Sequence, residues 1–178
     1  MLLILYAHPQ HARSRANRAL LDAVRDLPGV EVHSLYDQYP DFSIDVAAEQ
    51  ALLARAHTLV WQHPTYWYGV PALLTLWFEQ VLTRGWAFGA GGTALHGKRV
   101  LWATTTGDLA DQHEAGQLDG LPLDGFAPHL KFTAQYCGLQ WLPPFVVHRA
   151  HRLAPDAMAQ RVAEYRQRLG EMTVIGDG

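Results

Sequence analysis

The stretch TLVWQHPTYWYGVPALLTLWFEQVL, residues 58–82, holds a complete strand–loop–helix unit. Thr58–Gln62 is a short run rich in β-branched and aromatic residues, the composition of a strand. Pro71–Leu82 opens on proline, favoured in a first helical turn, and continues with apolar residues at helical spacing. Between them Tyr66, Trp67 and Tyr68 stand in a row, where loops usually carry small polar residues. The placement predicts a loop built to lie against something flat.

The same alternation extends in both directions. Leu2–Tyr6 is a continuous apolar run, as expected of a strand buried on both faces. Ser14–Leu27 predicts a helix, with Ala16, Leu20, Ala23 and Leu27 at helical spacing and Pro28-Gly29 as its stop. Val30–Leu35 reads as a second strand, followed by a polar turn through Pro40 and Asp41. Asp45 is placed to cap a helix over Val46–Ala56, with Glu49 as its first-turn acid. Arg99–Thr104 is a fourth strand and Phe126–Cys137 a helix. Leu139–Val147 is a fifth strand broken by Pro143-Pro144, and Pro155–Leu169 a final helix.

Strands alternating with helices across short loops predict the α/β class, with a parallel sheet covered by helices on both faces. No repeat, linker or low-complexity segment divides the chain, so residues 1–178 are expected to form a single domain. In such a fold ligands bind beyond the carboxyl ends of the strands. The loops to examine are therefore 7–17, 63–70 and 104–113.

Composition narrows the function. A net charge of −3 gives no basic footprint for nucleic acid and none of the strong acidity of a carrier that docks on basic partners. The single cysteine, Cys137, lies in an apolar neighbourhood and reads as a structural thiol of a reducing compartment. No segment has the roughly 18 consecutive apolar residues of a membrane span, and MLLILYAHP lacks the basic start of a signal peptide. A cytoplasmic protein is expected.

The first loop runs from Ala7-His8-Pro9 to Ser14-Arg15-Ala16-Asn17 at a helix start. Unpaired N–H groups and the partial positive charge of a helix start suit a phosphate, and Ser14, Asn17, Arg13, Arg15 and His8 or His11 add donors or charge. The plain alternative is that Ser14 only caps a helix with a solvated basic face. Gly92–Lys98 imitates the start of a P-loop, but Arg99 replaces the needed Ser/Thr and the run precedes a strand, which excludes it. Thr104-Thr105-Thr106-Gly107-Asp108 leaves the fourth strand with small hydroxyl residues and a glycine, which lets backbone N–H groups approach a polar ring edge. Together the loops suggest a ligand that is flat, polar along one edge and phosphorylated; flavin mononucleotide (FMN) fits. Trp77, inside the helix, is expected to be core.

These residues carry a resemblance. YAHP at 6–9, S-x-A-N at 14–17, SLYDQYPDF at 34–42, WQHPTYWYGVPALLTLWFEQV at 61–81, GWAFGAGGTALHGK at 85–98, TTG at 105–107 and YCGLQWLPPF at 136–145 span nearly the whole chain in order. They resemble the flavodoxin-like NAD(P)H:quinone oxidoreductases, most closely the KefF/KefG-type ancillary proteins of glutathione-regulated potassium efflux. The resemblance implies a flavodoxin-like three-layer sandwich with a five-stranded parallel sheet, an FMN cofactor, NADH or NADPH as co-substrate, a quinone acceptor and a homodimer. A potassium-efflux antiporter is an implied partner, met at the inner face of the cell membrane. Matched position by position, His8, Ser14 and Asn17 fall at the phosphate end. Tyr66, Trp67 and Tyr68 fall beside the ring, and Thr105, Thr106 and Gly107 at its pyrimidine edge. Arg15, Ala16 and Thr65 lie within those runs and would contribute backbone. Asp108 stands where relatives often have a second glycine, and is expected to face solvent because an unpaired carboxylate against a buried ring is costly.

Among catalytic residues, His113 is a candidate to protonate or orient a quinone oxygen, set against the commoner case of a surface histidine without a role. His148 and His151 are the one close histidine pair outside the first loop, with no carboxylate beside them, so no metal site is expected. Other readings remain open: a regulatory binding subunit with little turnover, a flavin-dependent reductase of azo or nitro compounds, or a one-electron carrier.

Overall fold

The computed structural model of the chain describes residues 1–107 and 128–174. The sheet is parallel throughout, in the order β2-β1-β3-β4-β5. Its strands are β1 (Leu2–Tyr6), β2 (Val30–Ser34), β3 (Thr58–Pro64), β4 (Arg99–Thr105), β5 (Gln140–Trp141) and β6 (Phe145–Val147). The helices are α1 (Ala16–Asp22), α2 (Leu35–Gln38), α3 (Val46–Arg55), α4 (Ala72–Val81), α5 (Pro128–Tyr136) and α6 (Pro155–Val174).

The central strands are apolar on both faces because each face meets a helical layer. Leu3, Leu5, Leu59, Trp61 and Trp102 pack with Leu53 of α3, Leu73, Leu74 and Trp77 of α4, and Leu130 of α5. The alternate residues Leu2, Ile4, Tyr6, Val60 and Leu101 pack with Leu20 and Leu21 of α1 and with Met158, Tyr165 and Leu169 of α6. Period-two alternation therefore sorts one continuous apolar run into two cores.

Several boundaries differ from the sequence reading. The first helix is shorter than 14–27: a 3₁₀ turn at His11–Arg13 precedes it, and Ser14 is extended. After Asp22 the hydrogen bonds tighten, Val24 N donating to Leu21 O and Leu27 N to Val24 O, as the chain nears Pro28 and Gly29, whose φ is +77°. Residues 35–38, read as the end of a strand and a turn, form the short helix α2. β3 runs on to Pro64 and β4 to Thr105, so the site-bearing loops start later than predicted. The fifth strand is in two pieces. β5 pairs with Arg99 and Val100, β6 with Ala103–Thr105, and Pro143-Pro144, which have no N–H for the ladder, lie between them. The last helix continues past Leu169 to Val174.

Asp45 caps α3 as expected, its Oδ1 accepting from Ala48 N at 3.0 Å. Glu49 is the first-turn acid of α3, as expected, and does more than face the helix dipole. It is buried and its carboxylate accepts from His33 Nε2 (2.6 Å), Tyr39 OH (2.6 Å) and Trp77 Nε1 (2.7 Å). Burial pushes its pKa up, but the three hydrogen bonds outweigh that and hold it below the usual carboxylate value. The group joins β2, the end of α2, α3 and α4. Glu49→Ala, which strands the buried donors of Tyr39 and Trp77 and the half-buried His33, is expected to destabilise the chain by about 3–5 kcal/mol, read from urea unfolding midpoints at neutral pH.

Candidate functional site

Parallel pairing brings the ends of β1, β3, β4 and β6 to one edge of the sheet, and a cleft of about 390 Å³ opens there. That volume lies within the range of small-ligand sites. Its walls come from four loops. His8, Gln10, Arg13, Ser14, Arg15, Ala16 and Asn17 follow β1; Pro64, Thr65 and Tyr66 end β3; Thr105–Gly107 end β4; Ala150 and His151 follow β6.

The first wall is a donor surface. At the start of α1 the Arg15 side chain caps nothing, so the N–H groups of Ala16 and Asn17 are left for a ligand. Ser14 Oγ accepts from Arg18 N at 3.3 Å and hydrogen-bonds the Tyr6 hydroxyl beside it. His8 Nδ1 accepts from Gln10 N at 3.1 Å, so a neutral His8 carries its proton on Nε2. Burial, then His11 nearby, holds the His8 pKa below its ordinary value. The lining contains Arg13 and Arg15 and, among the described residues, no carboxylate.

The floor is built from side chains that hold one another. Asn17 Nδ2 donates to Thr105 Oγ1 at 2.7 Å, tying the first loop to the end of β4. Thr104 Oγ1 donates to His63 O (2.9 Å) and lies 2.9 Å from Thr65 Oγ1. Its hydrogen being used on the carbonyl, Thr65 is the donor of that pair. His63 is fully buried, its Nε2 accepting from Trp102 Nε1 (2.8 Å) while Nδ1–H gives to Pro64 O (2.9 Å). The second edge is bound to the sheet by Thr65 N donating to Thr105 O at 2.9 Å.

The aromatic triplet does not line the cleft as a unit. Tyr66 is on the wall, whereas Trp67 is 96% exposed and points away from the protein. Tyr66 and Gly69 exchange backbone hydrogen bonds of 3.2 and 2.9 Å around a two-residue turn, with φ of +48° at Trp67 and +62° at Tyr68. Such mirror-type turns normally take Asn-Gly, and two bulky residues in the left-handed region are strained. Trp77, by contrast, is buried, as expected.

Thus His8, Ser14, Arg15, Ala16, Asn17, Thr65, Tyr66, Thr105, Thr106 and Gly107 meet in one cleft; Trp67 and Tyr68 stand outside its lining. Asp108 and His113 lie outside the described residues. Sequence reasoning gave no role to Gln10, Pro64, Ala150 or His151 at this site. The basic run His148–Arg152 after the fifth strand was the available signal, since that loop leaves the same sheet edge as the others.

With this geometry in place, known proteins can be compared. The Flavodoxin_2 profile, described as a flavodoxin-like fold, matches residues 1–171. The chain belongs to this flavodoxin-like family. It is 51% identical over 169 residues, 95% of each chain, to the glutathione-regulated potassium-efflux system ancillary protein KefF of Salmonella schwarzengrund (strain CVM19633). The general stress protein 14 of Treponema denticola, solved in complex with FMN, matches with a TM-score of 0.86 and 36% identity over 97% of this chain and 98% of that one. An NADPH-quinone reductase from P. pentosaceus gives a TM-score of 0.85 and 30% identity over 94% of this chain and 96% of that one.

The site makes stability depend on pH. Burial lowers the His63 pKa from 6.5 to about 4, in keeping with the Trp102 N–H that occupies Nε2. The unfolded chain therefore takes up a proton that the folded chain refuses between about pH 6.5 and pH 4, and stability falls as pH falls through that window. The expected loss from this residue is about 3 kcal/mol. Urea unfolding of the parent and of His63→Gln at several pH values checks it: the parent should lose its advantage over the variant across the window.

Proposed function

We propose that the chain is an FMN-dependent two-electron NAD(P)H:quinone oxidoreductase that also serves as an ancillary subunit of a potassium-efflux antiporter. The observation that carries this reading is the cleft at the strand ends. It joins a cationic helix start, whose Ala16 and Asn17 N–H groups no side chain caps, to a threonine-rich strand end, in a chain whose 36% identical relative is in complex with FMN. A cleft lined by two arginines and no described carboxylate fits a phosphate. The hydroxyl and backbone donors at the opposite wall fit the polar edge of a ring.

On this reading Ser14 and the N–H groups of Arg15 and Ala16 hold the phosphate, with Arg13 and Arg15 supplying charge. Thr65 and Tyr66 border the ring. Thr105, Thr106 and Gly107 meet its pyrimidine edge. When bound, FMN would supply the chemistry of hydride transfer between nicotinamide and quinone. The protein binds, orients and shields; the neutral, locked His63 beneath the floor keeps a stray charge out of the site.

The partner assignment rests on the 51% identity to an ancillary protein of potassium efflux. No helix among the described residues is long and apolar enough to cross a membrane, so an antiporter would be met from its surface.

The purified chain should show flavin absorbance, released on denaturation as FMN. It should oxidise NADH or NADPH with a soluble quinone at a rate that rises with FMN occupancy. An FMN-loaded chain with negligible turnover would instead mark a purely regulatory subunit.

A homodimer using the 61–88 region is the second expectation. Within that region Trp61 and Trp77 are core, but Tyr66, Trp67 and Tyr68 are 42%, 96% and 43% exposed, an aromatic group of the kind enriched at interface cores. Light scattering at micromolar concentration should give twice the 19.9 kDa chain mass, and Trp67→Ala should shift the mass towards the monomer.

A further inference from the structure

A buried relay of hydrogen bonds ends at the cleft, and its direction is fixed by chemistry. It begins at Tyr165 in α6, whose hydroxyl lies 2.9 Å from Gln62 Oε1. Gln62, fully buried in β3, places Nε2 3.0 Å from the backbone oxygen of Asn17 and 3.5 Å from its Oδ1. Asn17 Nδ2 in turn donates to Thr105 Oγ1 at 2.7 Å. The main-chain oxygen of Asn17 can only accept, so the amide nitrogen of Gln62 must face it. The amide oxygen then faces Tyr165, which must donate. Burial pushes the Tyr165 pKa far up, so that donor keeps its proton. Gln62 Nε2, fixed as a donor, also approaches Asn17 at 3.5 Å, so the Asn17 amide oxygen is set on that side and Nδ2 turns to Thr105.

The consequence is at the last member. Thr105 Oγ1 already accepts from Asn17, and among the described residues no acceptor takes the hydroxyl hydrogen of Thr105, which lines the cleft at 7% exposure. We infer that Tyr165, Gln62 and Asn17 are positioning residues that set the Thr105 hydroxyl as a hydrogen-bond donor into the cleft. The ligand must then present an acceptor at that point, a carbonyl oxygen or an unprotonated ring nitrogen. The side chain of Asn17, a residue 1% exposed and joined to Thr105, acts through Thr105 instead of touching the phosphate itself. The inference rests on the flavin reading above and assigns Thr105 to the ring edge.

The test is a double-mutant cycle on flavin affinity, read by quenching of flavin fluorescence, with FMN and with riboflavin, which lacks the phosphate. Thr105→Val and Asn17→Ala should each weaken binding roughly three- to tenfold, the size of one lost hydrogen bond. The loss from Asn17→Ala should be the same for both flavins. In the Thr105→Val background it should shrink to within about twofold of no effect, as expected of coupled sites. Tyr165→Phe, which keeps the ring and removes only the hydroxyl, should show a smaller loss that also vanishes with Thr105→Val; it carries the test if Asn17→Ala does not fold. A loss confined to FMN and additive with Thr105→Val would make Asn17 a direct phosphate ligand and overturn the inference. Equal additive losses for both flavins would mean general loosening and overturn it too. A parent chain that binds neither flavin would overturn the functional reading, and the inference with it.

Discussion

β3 is held on both sides by parallel ladders, Thr58–Gln62 against β1 and Thr58–Pro64 against β4, with every residue buried. The site depends on this double pairing. A parallel strand cannot return through a hairpin, so each chain leaving the sheet must cross back through a helical layer. Register then decides which loops become neighbours: Tyr6 lies opposite Gln62, Pro64 opposite Thr105, and Thr105 opposite Val147. Residues 8–17, 64–66, 105–107 and 150–151 meet over one edge because β3, β4 and β6 end level and β1 ends two residues short of them. Pro64 closes β3 without an N–H of its own, and Thr65 N, bonded to Thr105 O, keeps the departing chain against β4.

The sheet was legible because its signal is local. Runs such as Leu2–Tyr6 and Arg99–Thr104 announce buried strands, and a ligand edge follows from their parallel order. The loops after β1, β3 and β4 were therefore found before any contact was known. The buried network of Glu49 was not legible, for the opposite reason. A glutamate in a first helical turn normally faces water, and nothing within ten residues shows that His33, Tyr39 and Trp77 converge on it from separate elements. The α2 turn was missed because four residues carry too little periodicity to separate helix from loop. His151 was discounted as a metal ligand, and its place in the cleft comes from where β6 ends.

The aromatic loop shows how composition can mislead about role. Three rings after a strand suggest a wall, but the backbone directs them differently. The paired hydrogen bonds of Tyr66 and Gly69 force Trp67 and Tyr68 into left-handed conformations, at a cost of about 1–2 kcal/mol each. That cost is sustained by the Thr65–Thr105 anchor on one side and by α4 on the other. The result keeps Tyr66 in the cleft and displays Trp67 outward on a frame whose backbone is already fixed. A side chain shown in this way loses little further backbone freedom when a partner covers it, so its buried area contributes more of its full hydrophobic value to association.

Net charge is an equally poor guide to the cleft. The chain carries −3 overall, yet the described lining of the site holds Arg13 and Arg15 with no acid among them. Burial depresses the His8 pKa and so weakens its positive charge, which leaves the arginines and the start of α1 as the source of the field. An arginine remains charged at any physiological pH, whereas a histidine so placed does not. Attraction for an anionic group at this edge is therefore built from groups that do not titrate. His63, which does titrate, is buried neutral beneath the floor. Separating the permanent charges of the rim from the neutral hydrogen-bonded floor lets one short cleft accept a charged group at one end and an uncharged polar edge at the other.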